Sequence, residues 1–260
     1  MTDRALPRIL AIANQKGGVG KTTTAINLGA ALARTGRRVL LVDLDPQGNA
    51  STGLGLFPED RDRTVFDILQ GTSLAADAVS PTEVANLSLV PSTTDLAAAD
   101  VTLSGRPRRS YLLRDALRHK DMAGYDYILI DCPPSLSTLT VNALVAADAV
   151  LVPLQSEFFA LEGLSQLMMT IREVRTAANP DLRIEGVVLT MYDRRNNLSQ
   201  QVEADARANL GDLVFETLVP RNVRLSEAPS FAMPVLDYDP DSTGSKAYVS
   251  LAAEVLARES

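Results

Sequence analysis

A glycine-rich turn between an apolar run and a helical pattern constrains the fold of this 260-residue chain more than any other feature. The apolar run spans residues 9–13, the turn reads Asn14-Gln-Lys-Gly-Gly-Val-Gly20, and residues 21–34 then have helical spacing that stops before Gly36. Glycine reaches backbone angles that other residues avoid, so the chain can pass sharply from a strand into a helix. This order is the opening unit of α/β folds that bind ligands at the carboxyl edge of a parallel sheet.

Six short apolar runs predict the strands of such a sheet. They lack the polar alternation of half-exposed strands, and they cover residues 9–13, 39–42, 87–90, 127–130, 149–152 and 184–189. Strands that are covered by helices on both faces have this composition. The sequence therefore predicts an α/β fold with a doubly wound, mostly parallel sheet flanked by helices.

Longer helical patterns alternate with these runs, and besides residues 21–34 they cover residues 159–177, 199–210 and 245–258. The last pattern predicts a helix docked on the sheet, because one face carries Tyr248, Leu251, Ala252, Val255 and Leu256. No Pro/Ser-rich linker divides the chain, so we expect residues 1–260 to form one domain. Only about eight residues precede the first strand, and we expect no N-terminal helix-turn-helix module there.

Composition limits the compartment and the partners. The chain carries 32 acidic and 25 basic residues, a formal net charge of −7, so contact with nucleic acid or anionic lipid requires a local basic patch. One cysteine, Cys132, and one histidine, His119, argue against an internal disulfide and against a zinc site. No apolar stretch approaches the length of a membrane span or a signal-peptide core. We therefore expect a cytoplasmic protein.

The glycine-rich turn has the chemistry of a phosphate-binding loop. Backbone N–H groups at Gly17, Gly18 and Gly20 can converge on phosphate oxygens, and the helix N-terminus adds its positive dipole end. Lys21 adds a full charge, and the Thr22 hydroxyl is a ligand for Mg²⁺. The general P-loop pattern has glycine where this chain has Gln15, and an additional lysine, Lys16, follows.

Carboxylates follow two of the predicted strands. Asp131 ends one apolar run and can hold Mg²⁺ through water, whereas a lone aspartate at such a place is often a turn former or a helix cap. Asp43 and Asp45 end another run, two residues apart. One of this pair can address an attacking water while the other orients the loop or the Mg²⁺ shell. The alternative is a Pro-Gly turn with solvated acids.

The chain resembles the deviant Walker A ATPases, whose phosphate loop reads Lys-Gly-Gly-x-Gly-Lys-Thr, and within them the partition ATPases of the ParA/Soj type. The resemblance spans nearly the whole chain. It is carried by the strings Ala13-Asn-Gln-Lys-Gly-Gly-Val-Gly-Lys-Thr-Thr-Thr24, Val42-Asp-Leu-Asp-Pro-Gln-Gly-Asn-Ala50, Ile130-Asp-Cys-Pro-Pro134 and Val219-Pro-Arg-Asn-Val-Arg-Leu-Ser-Glu-Ala-Pro229.

The resemblance implies a role for each matching residue. Lys16 would be the signature lysine that reaches the phosphates bound by the partner subunit of a nucleotide-sandwich dimer, and Lys21 would serve its own ATP. Asp45 would position the hydrolytic water, with Asp131 as the Walker B carboxylate that holds Mg²⁺ through water. Asp45 is a further candidate for the Mg²⁺ shell, also through water. The implied ATP site comprises Lys16, Gly17, Gly18, Val19, Gly20, Lys21, Thr22, which ligates Mg²⁺, Thr23 at the α-phosphate, and Pro220 and Asn222 at the adenine.

The same resemblance implies ATP and Mg²⁺ as cofactors and a homodimer that forms on ATP binding. It also implies non-specific binding to double-stranded DNA and hydrolysis stimulated by a ParB-type centromere-binding protein. By this resemblance, we expect a nucleoid-associated protein that segregates chromosomal or plasmid DNA.

Three kinds of relative share the loop, and a binding switch is a fourth alternative. The nitrogenase iron-protein type needs two cysteines per subunit, and this chain has Cys132 alone. Division-site ATPases of the MinD type end in a basic amphipathic membrane helix, but residues 245–260 contain only Lys246 and Arg258 as cations, so no stable membrane association is expected. Other spatial-positioning ATPases, and a nucleotide-gated binding switch with negligible turnover, agree with every motif.

The predicted DNA surface is a C-terminal basic patch that consists of Arg194, Arg195, Arg221, Arg224 and Lys246. The alternative is that Arg194 and Arg195 form a solvated turn and that the other arginines pair with Glu227. A second basic stretch, residues 105–120, is typical of a solvated helix face and is the other candidate. We assign no chemistry to His119, which belongs to that stretch.

Overall fold

The computed structural model describes residues 6–157 and 160–259. Within these ranges, eight strands form one sheet: β1 Arg8–Ile12, β2 Val39–Asp43, β3 Ser80–Pro81, β4 Leu87–Val90, β5 Tyr127–Asp131, β6 Ala149–Gln155, β7 Arg183–Tyr192 and β8 Val214–Pro220. Their order is β3-β4-β2-β5-β1-β6-β7-β8, and every pair is parallel except β3 with β4. The predicted mostly parallel α/β sheet is confirmed.

Eleven α-helices are present among the described residues: α1 Lys21–Arg34, α2 Asn49–Gly53, α3 Val65–Gln70, α4 Ala99–Thr102, α5 Leu112–Leu117, α6 Thr138–Ala146, α7 Ala160–Ala177, α8 Asn197–Leu210, α9 Val223–Glu227, α10 Val235–Tyr238 and α11 Thr243–Ala257. Short 3₁₀ segments cover Pro58–Asp60, Ala76–Ala78, Thr94–Ala98, Arg109–Tyr111, Lys120–Met122, Gly211–Leu213 and Ala228–Phe231. The helix predicted over residues 159–177 begins with a residue outside the described part of the chain. No helix in the described part is both long enough and apolar enough to cross a membrane.

Helices cover the sheet on both faces, as the apolar strands predict. Along β1, Ile9 and Ala11 pack into a core layer with α5, α6 and α7, whereas Leu10 and Ile12 pack into the opposite layer with α1 and α11. Alternate side chains of a strand point to opposite faces, so both faces of β1 must be apolar.

The strand order places the turn after β1 at the centre of the carboxyl edge. β1 lies between β5 and β6, and the loops after β2 and β5 lie to one side of it. In register, Ile12 is opposite Asp131, and Asp131 is opposite Asp43 on β2. The sheet therefore brings the phosphate loop and both strand-end carboxylates to one edge.

Candidate nucleotide-binding site

The turn between β1 and α1 depends on glycine at two positions. Gly18 has φ of 74° and Gly20, which precedes the first turn of α1, has φ of 87°. Both values lie in the left-handed region that side chains with a Cβ rarely adopt. The sequence therefore turns here without strain, and its backbone stays exposed at Gly17 and Gly18.

Two side chains, Asn14 and Thr190, fix this loop to the sheet. Asn14 donates a hydrogen bond from Nδ2 to the Pro153 carbonyl on β6 (2.8 Å), and its Oδ1 accepts one from the Lys16 N–H (3.0 Å). The Thr190 hydroxyl on β7 donates to the Val19 carbonyl (2.9 Å). The loop is therefore bonded to β6 and β7, the two nearest strands on one side of β1.

Beyond the loop, α1 offers a pre-formed anion site. Lys21, Thr22 and Thr23 are its first three residues, and N–H groups in the first turn of a helix have no intrahelical acceptor. The Lys21 side chain is 7% exposed, and its ammonium donates to the Lys16 carbonyl (2.8 Å). Burial lowers the pKa of Lys21, while the negative charge of Asp131 acts in the opposite direction. A phosphate group would meet free N–H donors and a buried cation together.

Lys16 has different surroundings from Lys21. Its side chain is 38% exposed and forms an ion pair with Glu157, which follows β6. The two lysines of the loop are therefore presented in two ways, with Lys21 over its own loop and Lys16 at the surface.

Asp131 has the surroundings of a cation ligand. Its side chain is fully buried, and neither carboxylate oxygen has a hydrogen-bond partner in the described part of the chain. Burial and the nearby charge of Asp43 raise its pKa well above the usual range, whereas the Thr22 side chain and Lys21 oppose that shift. A buried acceptor without a partner is unfavourable, and a bound cation with its water shell would satisfy both oxygens. These residues therefore fit a divalent cation.

Asp43 anchors the loop that follows β2. It is fully buried, and its Oδ2 accepts hydrogen bonds from the Ser51 N–H (2.8 Å) and the Ser51 hydroxyl (2.6 Å). Its Oδ1 accepts one from the Asp45 N–H (3.3 Å). Burial raises the pKa of Asp43 to about 6, although the Ser51 hydrogen bonds favour the charged form.

Asp45 lies beyond the end of β2, where the chain leaves the extended conformation. Its carbonyl accepts a hydrogen bond from the Gly48 N–H (2.9 Å), and its Oδ1 accepts one from the Gln47 N–H (3.0 Å). The side chain is half-buried. The two carboxylates therefore differ in their contacts, with Asp43 anchoring the loop and Asp45 at the turn.

A cavity of about 460 Å³ beside the loop collects two residues of the predicted phosphate site, Gly20 and Thr23, and the two predicted at the adenine, Pro220 and Asn222. Gly20, Thr23, Pro220 and Asn222 line it. Sequence reasoning missed three further lining residues, Thr190, Met191 and Tyr248. No local pattern marks them, because β7 and α11 bring them to the loop only through the tertiary fold.

Backbone strain and a buried hydrogen bond mark this cavity. Met191 has φ of 51°, an uncommon value for a residue with a side chain. The Tyr248 hydroxyl is hydrogen-bonded to the Thr24 hydroxyl of α1 (3.1 Å). Asn222 caps α9 through the Arg224 N–H (2.8 Å) and donates to the Thr243 hydroxyl (2.8 Å), so the β8–α9 turn is bonded to α11.

The structure brings four of the five predicted DNA-contacting cations together. Arg194, Arg195, Arg221 and Lys246 line one open cavity of about 640 Å³ beside β8, the edge strand. Arg224 is not among its lining residues.

Ion pairs engage part of this basic patch. Arg195 is 91% exposed and pairs with Asp193 (3.2 Å). Arg224 pairs with Glu227 (2.8 Å) and with Asp239 (3.2 Å). Arg194 and Arg221 are exposed and have no ion pair in the described part of the chain.

The second basic stretch is used largely within the fold. Arg106 donates to the Leu69 carbonyl (2.8 Å), Arg108 pairs with Asp115 (3.3 Å) and Arg118 pairs with Asp148. His119 is exposed, as the sequence predicts.

Comparison with known proteins agrees with the site. Residues 7–184 match the model of a family described as an AAA domain. The chromosome partitioning protein ParA of Caulobacter vibrioides is 61% identical over 253 residues, which cover 97% of this chain and 95% of that protein. The chromosome-partitioning ATPase Soj of Thermus thermophilus is 55% identical, with 98% of each chain covered.

A solved structure is also similar. It is the cobyrinic acid a,c-diamide synthase of Mycobacterium smegmatis with bound ADP and magnesium, which is 40% identical and has a TM-score of 0.85. The match covers 97% of this chain and 95% of that one.

Proposed function

The chain belongs to the ParA/Soj family of chromosome-partitioning ATPases, and from this membership we propose an Mg²⁺-dependent ATPase that segregates DNA. It dimerises on ATP, binds double-stranded DNA without sequence preference and hydrolyses ATP when a ParB-type partner stimulates it. The observation that carries the proposal is Asp131, a fully buried carboxylate with no hydrogen-bond partner among the residues that the structure describes, beside the buried Lys21 of a phosphate loop.

ATP is held by the loop and by the base cavity. The N–H groups of Gly17, Gly18, Val19 and Gly20, and those of the first turn of α1, bind the phosphates, with Lys21 as the charge partner and Thr23 at the α-phosphate. Pro220 and Asn222 bind the adenine. The solved relative with bound ADP and magnesium supports this assignment.

Magnesium is held by the Thr22 hydroxyl and, through water, by Asp131, with Asp45 as a further water-mediated candidate. When bound, it neutralises charge that develops on the phosphate oxygens during transfer. Burial raises the pKa of Asp131 and so disfavours its charged form. An adjacent divalent cation favours the ionised carboxylate, so a bound magnesium ion would offset this effect.

Hydrolysis is assigned to Asp45 and to Lys16. Asp45 orients the attacking water, and the turn that carries it is anchored by Asp43. Lys16 contacts the phosphates bound by the partner subunit. Its exposed position supports a role outside its own subunit, and dimerisation then replaces its ion pair with Glu157 by one with phosphate.

DNA binds the C-terminal basic patch. The molecule carries a net charge of −7, so four cations around one cavity make a weak DNA site in a monomer. Dimerisation doubles the phosphate contacts, and each contact adds to affinity through counterion release. DNA binding is therefore coupled to ATP, and the protein is cytoplasmic and nucleoid-associated.

Replacement of Asp45 by alanine tests the catalytic assignment. We expect Asp45→Ala to bind ATP and dimerise as the parent does while hydrolysis falls, because a water-orienting group acts in the transition state. The dimer should then persist. Measurement of phosphate release with and without DNA and partner, together with the affinity for an ATP analogue, checks this. Lost analogue binding would make Asp45 a magnesium or structural residue, and negligible release by the parent under all conditions would favour a nucleotide-gated switch.

A further inference from the structure

We propose that Arg61 is a positioning residue for ATP hydrolysis, because its guanidinium holds the turn that presents Asp45. The proposal rests on the function above, in which Asp45 orients the attacking water. Arg61 lies outside the phosphate loop, in the segment between the 3₁₀ segment Pro58–Asp60 and α3.

The guanidinium joins three separate segments of backbone. Its Nε and Nη2 donate to the Leu56 carbonyl (2.9 and 2.8 Å), and its Nη1 donates to the Ser92 carbonyl after β4 (2.7 Å). Nη2 also donates to the Thr52 hydroxyl at the end of α2 (2.8 Å) and to the Gly48 carbonyl (3.3 Å). Arg61 therefore ties the loops after β2 and β4 to each other.

Gly48 connects this arrangement to Asp45. The Gly48 N–H closes the turn on the Asp45 carbonyl (2.9 Å), and its own carbonyl accepts from Arg61. A Cβ at Gly48 would lie 2.4 Å from Nη1 of Arg61, so the backbone packs directly against the guanidinium. Its φ of 62° also requires glycine. The same carbonyl also accepts from the Thr52 N–H (3.0 Å), so displacement of the guanidinium removes one of the supports at this end of the turn that carries Asp45.

Ser51 reinforces the same loop from the other side. The Ser92 N–H donates to the Ser51 hydroxyl (3.2 Å), and this hydroxyl donates to Asp43. The Ser92 carbonyl thus accepts a hydrogen bond from Arg61, and the Ser92 N–H donates to the Ser51 hydroxyl that anchors Asp43. The turn at Asp45 is held at both ends by one connected set of hydrogen bonds.

The chemistry at this position requires arginine. All five hydrogen bonds go to neutral oxygens, and Arg61 has no ion pair among residues 6–157 and 160–259. Burial lowers its pKa, but a guanidinium stays charged. A planar fork can serve three segments together, whereas a lysine ammonium keeps the charge and cannot span them. Arg61→Lys therefore separates the bracing geometry from the charge.

The first experiment compares Arg61→Lys with Arg63→Lys in the full chain. Arg63 is a matched control, since it lies two residues away and makes a surface ion pair with Asp77 (3.3 Å). We expect Arg61→Lys to lower kcat for MgATP by roughly ten- to hundredfold, as a misplacement of about 1 Å in an active site can do. The affinity for a non-hydrolysable ATP analogue should stay within about twofold of the parent. Arg63→Lys should match the parent in both.

A double-variant cycle separates positioning from general stability. If Arg61 acts through Asp45, Arg61→Lys should cause no further loss of kcat in an Asp45→Ala background. Hydrogen exchange should show faster exchange at residues 47–52 in Arg61→Lys, with the amides of β1 and β5 unchanged. Thr52→Val, which removes one of the five contacts, should lower kcat by a smaller factor and is the test variant if Arg61→Lys does not fold.

Three results would overturn the proposal. The first is a parental kcat in Arg61→Lys, or in Thr52→Val if only that variant folds. The second is a further loss of kcat when Arg61→Lys is added to Asp45→Ala. The third is a loss of analogue affinity in Arg61→Lys that equals its loss of kcat. A parental kcat in the Asp45→Ala single variant would instead remove the assigned role of Asp45, and the Arg61 proposal with it. That single variant therefore distinguishes the two failures.

Discussion

At the scale of single residues, one loop holds two lysines in opposite surroundings. Lys21 is buried over its own loop and bonds to the Lys16 carbonyl, whereas the Lys16 side chain points to the surface and pairs with Glu157. The sequence predicts both roles by resemblance, but only the fold reveals the difference in burial. Removal of these two charges should therefore have different effects on the protein.

Removal of each lysine should give a different defect. Lys21→Ala deletes the cation that holds phosphate within the subunit, so ATP binding itself should weaken. Lys16→Ala should leave ATP binding by the monomer unchanged and impair the dimer or its hydrolysis. Analogue titration and light scattering with ATP measure the two effects. An equal loss of nucleotide affinity in both variants would contradict a role for Lys16 in the partner's site.

Asp43 should make stability depend on pH. Its ordinary pKa of 3.8 rises to about 6 in the fold, so the folded protein binds this proton more tightly than the unfolded chain. Protonation therefore favours the fold, and this contribution is lost as pH rises from about 4 to about 6. Two pH units correspond to roughly 3 kcal/mol.

Unfolding of magnesium-free protein by urea between pH 4 and pH 7 measures this effect, with Asp43→Asn as the comparison. As pH rises, the free energy of unfolding of Asp43→Asn should increase relative to that of the parent. A difference that does not change with pH would show that Asp43 ionises without cost.

At the scale of elements, strands were predictable where they are buried on both faces. All six predicted runs lie in the sheet. β8 was missed because its middle residues, Glu216 to Leu218, are exposed or half-buried and interrupt the apolar run. α6 was missed because nearly all its side chains are buried, which removes the helical periodicity, and because apolar sequence continues after it into β6.

The site residues also differ in how far local sequence predicts them. The phosphate loop and Asp131 are local motifs and were predictable. The contributions of Thr190, Tyr248 and Arg61 depend on residues distant in sequence, which no local pattern can reveal.

The bond from β7 to the loop gives a prediction at this scale. Thr190→Val keeps the side-chain shape but leaves the buried Val19 carbonyl without its donor, which costs about 1 to 3 kcal/mol. We expect a lower free energy of unfolding and weaker binding of an ATP analogue. Thr176→Val is the matched control, since the exposed Thr176 hydroxyl bonds to the Arg172 carbonyl within α7. Parental analogue affinity in Thr190→Val would mean that the loop does not need this bond.

At the scale of the whole molecule, charge placement must reconcile the proposed DNA binding with a net charge of −7. The basic patch lies beside β8, and the phosphate loop follows the central strand β1. β7 connects the two places, because Thr190 bonds to the loop and Arg194 follows the end of the strand. The fold therefore brings the proposed nucleotide and DNA surfaces close together.

Removal of patch cations should weaken binding to all DNA sequences alike. Arg195→Ala combined with Arg224→Ala should lower affinity and flatten its salt dependence, since fewer counterions are released. ATP hydrolysis without DNA should not change. Arg63→Ala is the control, because Arg63 pairs with Asp77, three residues before the edge strand β3 at the other end of the sheet. Undiminished DNA binding in the double variant would indicate that DNA instead contacts the arginines between Arg106 and Arg118.

Binding of random-sequence duplex DNA with MgATP, with MgADP and without nucleotide tests the central claim most directly. Fluorescence anisotropy at fixed salt, with the unaltered protein, is sufficient. We expect tight binding only with MgATP, because only the ATP dimer presents two basic patches to one duplex. Equal affinity in all three conditions, or no binding with MgATP, would contradict the account of an ATP-gated DNA-partitioning ATPase.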